Sequence, residues 1–179
     1  MPDEEKLLAA LAVIQARGAI GERSLADAVA HSDRFVDLIP DGRMSVADLG
    51  SGGGLPALVI AVRRADVTLT MIERRATRAD LLRRAITSLD LAKRVTVLNV
   101  DAEVVCERVG ESFDVVTARS FSDPATTARF VDRLLTDDGI GLISEPPDDR
   151  TAEWEAALSG VGQLVDDGVY QGIRRLRRR

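Results

Sequence analysis

Leu7, Leu8, Leu11 and Ile14 recur at three- and four-residue spacing, which predicts an amphipathic helix over residues 3–17, closed by Gly18. Ser24 then stands as an N-cap ahead of a second helix carrying Leu25, Val29 and Ala30. A third, short helix is expected over residues 32–39, stopped by Pro40-Asp41-Gly42. Residues 1–42 therefore read as an N-terminal helical segment. After Gly42 the pattern changes. Short apolar and β-branched runs at residues 46–49, 67–72, 95–100, 113–118 and 140–144 read as buried strands. Residues 55–64 (with Pro56 in the first turn), 78–89, 102–109, 124–135 and 151–159 read as the helices between and after them. The C-terminal strands are poorly marked. Alternation of this kind builds a mostly parallel sheet with helices on both faces, so residues 43–179 are expected to form one α/β domain.

Composition supports a folded chain. Of 179 residues, 45% are apolar and 30% charged, which excludes a disordered chain. The longest apolar run, residues 55–62, is far short of the roughly 18 residues of a membrane-spanning helix, so no membrane partner is expected. No basic stretch followed by an apolar core opens the chain, and no export signal is read there. A single cysteine, Cys106, excludes a disulfide framework and fits a cytoplasmic location. With His31 the only histidine, a zinc site of the usual Cys/His kind is not expected. The net charge of −5 is unevenly spread: residues 174–179 hold five arginines, and Arg74, Arg75, Arg78, Arg83 and Arg84 form a second basic cluster. Such patches on an acidic body either dock a polyanion or are solvated helix faces and a frayed tail.

The first strand runs into Asp48-Leu49-Gly50-Ser51-Gly52-Gly53-Gly54. Glycines there let the backbone turn sharply and let a ligand approach the main chain, at the point where strand ends meet helix N-termini. The pattern is D-x-G-x-G-x-G, not the G-x-G-x-x-G loop that cradles a pyrophosphate, and no lysine follows as in a nucleoside-triphosphate loop. A carboxylate ahead of the loop repels phosphate and suits an ammonium group. Glu73 closes the second strand, nineteen residues after Gly54, where a carboxylate can accept both hydroxyls of a ribose. Asp101 and Glu103 lie at the end of the third strand, where an adenine is expected. S-adenosylmethionine joins a ribose, an adenine and an amino-acid ammonium without any phosphate, and is the expected cofactor. A glycine turn without a ligand and a nicotinamide site are the alternatives.

The acceptor is read from what is missing. Methylation of an exocyclic amine usually comes with an Asp/Asn-Pro-Pro-aromatic signature after the fourth strand. This chain has Arg119-Ser120-Phe121 there, and its Pro146-Pro147 falls after the fifth. Cys106 lies in an expected helix, away from where a pyrimidine-attacking nucleophile would stand. Guanine N7 needs neither deprotonation nor covalent activation, because its in-plane lone pair is already nucleophilic, and positioning alone serves it. Arg119 is the candidate catalytic residue, by hydrogen bonding to a guanine edge or to the cofactor's carboxylate. Phe121 could stack a base but suits a core role better, and His31 reads more readily as structural. One Trp, one Tyr and four Phe leave little for extensive base stacking.

Two stretches carry a family resemblance. Residues 48–56, ending Gly54-Leu55-Pro56, and residues 113–121, ending Arg119-Ser120-Phe121, resemble the loop and the fourth-strand motif of the 16S ribosomal RNA guanine-N7 methyltransferases, the glucose-inhibited division protein B type. The likeness covers roughly residues 22–145, with the helix at His31-Ser32 and its distance to Asp48 also similar. It implies a Rossmann-like class I methyltransferase fold and an S-adenosylmethionine-dependent enzyme acting on ribosomal RNA or the small ribosomal subunit. It implies cofactor contacts at Gly50, Leu55, Ala102, Glu103 and Arg119, beside Asp48, Gly52, Gly54, Glu73 and Asp101 read above. The chain departs from the family at Thr77-Arg78, where a Lys-Arg pair is usual, and at Ser144-Glu145, where Lys-Gly is usual. Glu73 stands for a usual Asp and Ser120 for a usual Ala, the family's N-terminal Asn-Leu-Thr segment is not found, and the chain is shorter than most members. Each lost lysine removes phosphate-neutralising charge, which the arginine-rich end can supply. A divergent paralogue acting on a small molecule, or a silent cofactor-binding protein, is the alternative function.

Overall fold

A computed structural model describes residues 2–107 and 112–179. Helices α1 (Pro2–Ala16) and α2 (Leu25–Val36) precede β1 (Met44–Leu49), α3 (Ala57–Arg63), β2 (Val67–Ile72), α4 (Ala76–Ser88) and β3 (Val95–Leu98). Then follow α5 (Ala102–Glu107), β4 (Phe113–Ala118), α6 (Pro124–Leu134), β5 (Leu135–Ser144), α7 (Thr151–Ser159), β6 (Leu164–Tyr170) and β7 (Ile173–Arg178). The sheet order is β3-β2-β1-β4-β5-β7-β6. The first five of these are mutually parallel, and β7 runs antiparallel to both neighbours. This is the α/β architecture the alternation implied.

Strand periodicity sorts the core into two apolar clusters, one per face of the sheet. Val46, Leu69, Met71, Val115 and Leu142 point to the cluster shared with α1 to α4. Their neighbours Ala47, Ile72, Val116 and Ile143 point to the cluster shared with α5 to α7. Leu7, Leu11, Ile14 and Phe35 of the two N-terminal helices belong to the first of these cores. Arg63 ties the same helices to α3 by pairing with Glu4 and with Asp33 at 3.0 Å. The carboxyl ends of β1, β2, β4 and β5 are level, with Leu49 paired to Ile72 and Ala118, and Ala118 to Ile143. Chain order reverses on either side of β1, so the crevice beyond β1 and β4 is the topological switch point where such sheets bind ligands.

Several boundaries differ from the sequence expectation. The second and third helices are one, α2, because Ser32 sits inside it and donates its hydroxyl to Ala28 O at 2.8 Å instead of starting a new helix. Ser24 does cap it, accepting from Asp27 N at 3.3 Å. The helix after the glycine loop begins at Ala57, with Pro56 at its N-cap instead of in its first turn. β5 begins at Leu135, ahead of the expected residue 140, because Leu135 pairs with Phe113 before an irregularity in the ladder. Residues 108 and 109 of the expected helix after the third strand lie outside the described residues.

The largest correction concerns the arginine-rich end. Residues 174–178 are neither solvated helix nor frayed tail but strand β7, hydrogen-bonded between β5 and β6. Ile173 and Leu176 are fully buried, and Arg174 is 3% exposed.

Candidate active site

The glycine loop leaves β1 in left-handed turns at Gly50, Gly52 and Gly54. Gly50 has φ +64°, and a Cβ there would lie 2.7 Å from Phe121 Cδ2, so backbone strain and contact both demand glycine. A Cβ on Gly53 would overlap Ile20, which means that the segment between α1 and α2 is seated directly on the loop. Ser51 N donates to Ile72 O at 3.0 Å, tying the loop to the end of β2. Glu73 is buried and completes that tie: one carboxylate oxygen accepts from Gly52 N at 2.8 Å and the other from Arg75 N at 2.7 Å. Each oxygen keeps further acceptor capacity. Asn99, just past β3, holds the same turn, donating to Glu73 O at 2.9 Å and Arg74 O at 3.0 Å. Nothing in the local sequence distinguished Asn99.

Asp48 is the penultimate residue of β1 and 1% exposed. Thr117 Oγ1, from neighbouring β4, donates to Asp48 Oδ1 at 2.6 Å. Asp48 Oδ2 is buried with no hydrogen-bond partner among the described residues. Burial pushes its carboxyl up to about 6, against the pull of the Thr117 hydroxyl and the Arg119 guanidinium. A buried acceptor with nothing bound to it is costly, and it marks a place for a donor from outside the chain. Thr117 was not singled out by sequence; only its register opposite Asp48 gives it a role.

Asp101 is exposed, accepts from Glu103 N at 3.2 Å and stands 3.9 Å from Arg74. Ala102 is buried at the start of α5. The Glu103 carboxylate leans onto α6 instead, at 3.0 Å from Arg133 and 3.4 Å from Arg129. The Glu103 side chain is thus turned toward α6, and the Asp101 carboxylate and the main chain of residues 102–103 stand at this strand end. Leu55 is buried beside the loop. The structure thus brings Asp48, Gly50, Gly52, Gly54, Leu55 and Glu73 together, with Asp101, Ala102 and Glu103 at the next strand ends. Cys106 lies apart on α5, and burial pushes its thiol up to about 11, so it is not a nucleophile at neutral pH.

Beyond the ends of β4 and β5 lies a cavity of about 780 Å³, walled by α2, by the turn between β6 and β7, and by α7. Arg119, Phe121, His31, Glu145, Trp154 and Arg23 line it. Phe121 joins it to the loop, since its ring sits on Gly50 and meets Phe130 edge-on at 5.6 Å. Arg119 is half-buried with no hydrogen bond or ion pair among the described residues. Burial and nearby Arg23 lower its pKa, while Asp48 opposes them. His31 reaches Ser144 Oγ with Nε2 at 3.0 Å. Burial, then Arg119, Arg34 and Arg23, hold its pKa below the usual value, so the ring is neutral at pH 7. The cavity carries a cationic rim, a buried acceptor lies under the adjoining loop, and Phe121 is the hinge between them.

A family model described as rRNA small subunit methyltransferase G matches residues 9–155. Proteins of that name are 35% identical over 143 residues in Laribacter hongkongensis (74% of this chain, 58% of that protein) and 35% over 149 residues in Salinispora tropica (80% and 60%). In Mycolicibacterium smegmatis the figure is 38% over 121 residues (66% and 51%). The chain thus spans between half and three-fifths of these relatives' lengths. Among solved structures, the O-methyltransferase from Bacillus cereus in complex with S-adenosylhomocysteine superposes with a TM-score of 0.73 at 14% identity, covering 98% of this chain and 91% of that one. An S-adenosylmethionine-dependent O-methyltransferase from Thermotoga maritima gives 0.65 at 16% identity, covering 83% and 64%. At such identities the likeness is one of fold, and it is the class I methyltransferase fold.

Proposed function

The chain belongs to the rRNA small subunit methyltransferase G family, and from that premise we propose that it transfers a methyl group from S-adenosylmethionine to N7 of a guanine in 16S ribosomal RNA. The single observation that carries the reading is Asp48 Oδ2, a buried acceptor without a partner among the described residues, under a glycine loop without the phosphate-cradling pattern. An ammonium group is the donor that fits it, and the site suits the cofactor on that ground. Asp48 would take the ammonium, Gly50, Gly52, Gly54 and Leu55 would line the methionine and ribose, and Glu73 would accept the ribose hydroxyls with its remaining lone pairs. Asp101 and the main chain of Ala102 and Glu103 would border the adenine. Arg119 faces the junction of loop and cavity, where it would pair the cofactor's carboxylate or a guanine edge.

When bound, the cofactor supplies a methyl carbon made electrophilic by its sulfonium. The chain's task is positional. The base must enter the cavity with its ring-plane lone pair in line with that methyl, the cationic rim of Arg23, Arg34 and Arg150 holding the RNA backbone. Guanine N7 would react through an in-plane lone pair that carries no proton, so no residue of this chain has to take or give one. A neutral His31 therefore has no general-base duty here. The partner is the small ribosomal subunit or its RNA in the cytoplasm, and among the described residues no helix is long and apolar enough to cross a membrane.

Titration calorimetry with S-adenosylmethionine tests the cofactor; absence of heat from the wild-type chain overturns the proposal. Transfer of labelled methyl to unmethylated small subunits, naked 16S RNA and a metabolite extract tests the acceptor. Arg119→Ala is expected to lower transfer by at least about a hundredfold. Transfer confined to the metabolite extract would favour the small-molecule alternative.

A further inference from the structure

One carboxylate in the cavity has no part in holding the cofactor. Glu145 follows β5, its side chain 7% exposed. Its backbone N donates to Gly172 O at 2.9 Å, and its Oε1 accepts from Arg174 Nε at 3.1 Å. Arg174 is itself buried, pairs with Asp166, and lies with its guanidinium carbon 5.4 Å from the centroid of the Trp154 ring. Glu145 is thus fixed through its main chain by the turn between β6 and β7, and through its side chain by β7. Trp154 lines the same cavity, and its Nε1 is buried without a hydrogen-bond partner among the described residues.

We infer that Glu145, held in place by Arg174, selects the acceptor base by accepting hydrogen bonds from N1–H and the N2 amino group of guanine. The inference rests on the guanine-N7 reading of the preceding section. An ionised carboxylate only accepts, and the Watson–Crick edge of guanine offers it two adjacent donors. Adenine presents one donor and one acceptor on that edge, so its N1 lone pair would face an oxygen lone pair. Position agrees with chemistry. Ala118 and Ile143 are paired, so Arg119 and Glu145 leave neighbouring strands. Both residues line one cavity, so a base whose N7 faces the loop at β4 has Glu145 within the same walls for its Watson–Crick edge. Methylation also leaves the base cationic, so a fixed carboxylate gains attraction as the transition state forms. Arg174 acts through Glu145 and is a positioning residue. Arg174 supplies the counter-charge that a buried carboxylate calls for.

The whole chain carries its own reporter, since Trp154 is the sole tryptophan. Fluorescence titration with guanosine, inosine and adenosine 5′-monophosphates tests the inference, inosine lacking only the N2 amino group. The wild type is expected to prefer the guanine nucleotide about tenfold over inosine, and over adenine by more. Glu145→Gln is expected to bring guanine and inosine within about twofold and to raise adenine binding, because a carboxamide offers one donor and one acceptor. Glu145→Asp should keep the wild-type order at lower affinity, which preserves the test if the glutamine variant does not fold. A folded Glu145→Gln chain that keeps the wild-type preference, or a wild type that does not distinguish guanine from inosine, overturns the inference. Methyl transfer to RNA guanine by the wild type, measured alongside, separates the two levels. Transfer without an inosine penalty removes the role of Glu145 alone, whereas no transfer and no nucleotide binding removes the reading beneath it.

Discussion

Asp48 carries opposed demands within one side chain. Burial lifts its carboxyl from the ordinary 3.8 to about 6, so between those values the folded chain binds a proton that the unfolded chain has released. Stability therefore falls as pH rises through that window and is flat above it, at a cost on the order of 3 kcal/mol. The same ionisation makes Asp48 a better partner for an ammonium group, so cofactor affinity should climb as pH passes 6. Asp48→Asn is expected to erase the acid-side slope in thermal melts and to unfold no earlier than the wild type at neutral pH. Calorimetry should show S-adenosylmethionine binding weakened about tenfold or more. A variant with undiminished affinity would remove Asp48 from the site. At this scale much was legible: Asp48, the glycines and Glu73 announce themselves by spacing. Thr117, Asn99 and Arg174 do not, because each acts across strands separated by tens of residues.

Elements were legible where their own pattern is strong. The runs of β2 and β4 are β-branched and apolar, and their bounds, Val67–Ile72 and Phe113–Ala118, match the sequence expectation residue for residue. β7 was not legible, since Ile-Arg-Arg-Leu-Arg-Arg has little strand propensity of its own. It forms because Glu145, Asp166 and Asp167 on adjoining segments neutralise Arg174 and Arg175, while Ile173 and Leu176 fill the core. Arg174→Ala leaves the buried Glu145 carboxylate short of its counter-charge, and denaturant melts should show a loss of about 3–5 kcal/mol. Deleting residues 174–179 is expected to abolish cooperative unfolding altogether. A truncated chain that still melts sharply and loses only RNA affinity would restore the idea of a docking tail.

At the scale of the whole molecule, loop and cavity join at Phe121 and are roofed by the segment between α1 and α2. A ligand seated there would contact the ends of β1, β2, β3 and β4 together, so binding should stiffen the molecule as a unit. S-adenosylhomocysteine at a hundredfold excess over Kd adds about 2.7 kcal/mol. For a chain of 179 residues that is a rise of roughly 5–10 °C in Tm. Differential scanning calorimetry checks it, and an unmoved melt at saturating ligand would rule the loop out as the binding site.

By itself, the sequence determined the alternation of strand and helix, the glycine loop and the carboxylates at the ends of its strands. Those features are local, written in side-chain period and in the backbone freedom of glycine. Tertiary structure decided the rest. It fused two expected helices into α2, turned an arginine-rich terminus into an interior strand, and set Glu145 against Arg174 at the edge of a cavity. These outcomes depend on burial and on pairing between residues far apart in the chain, and a charge becomes structural only when folding removes the water around it.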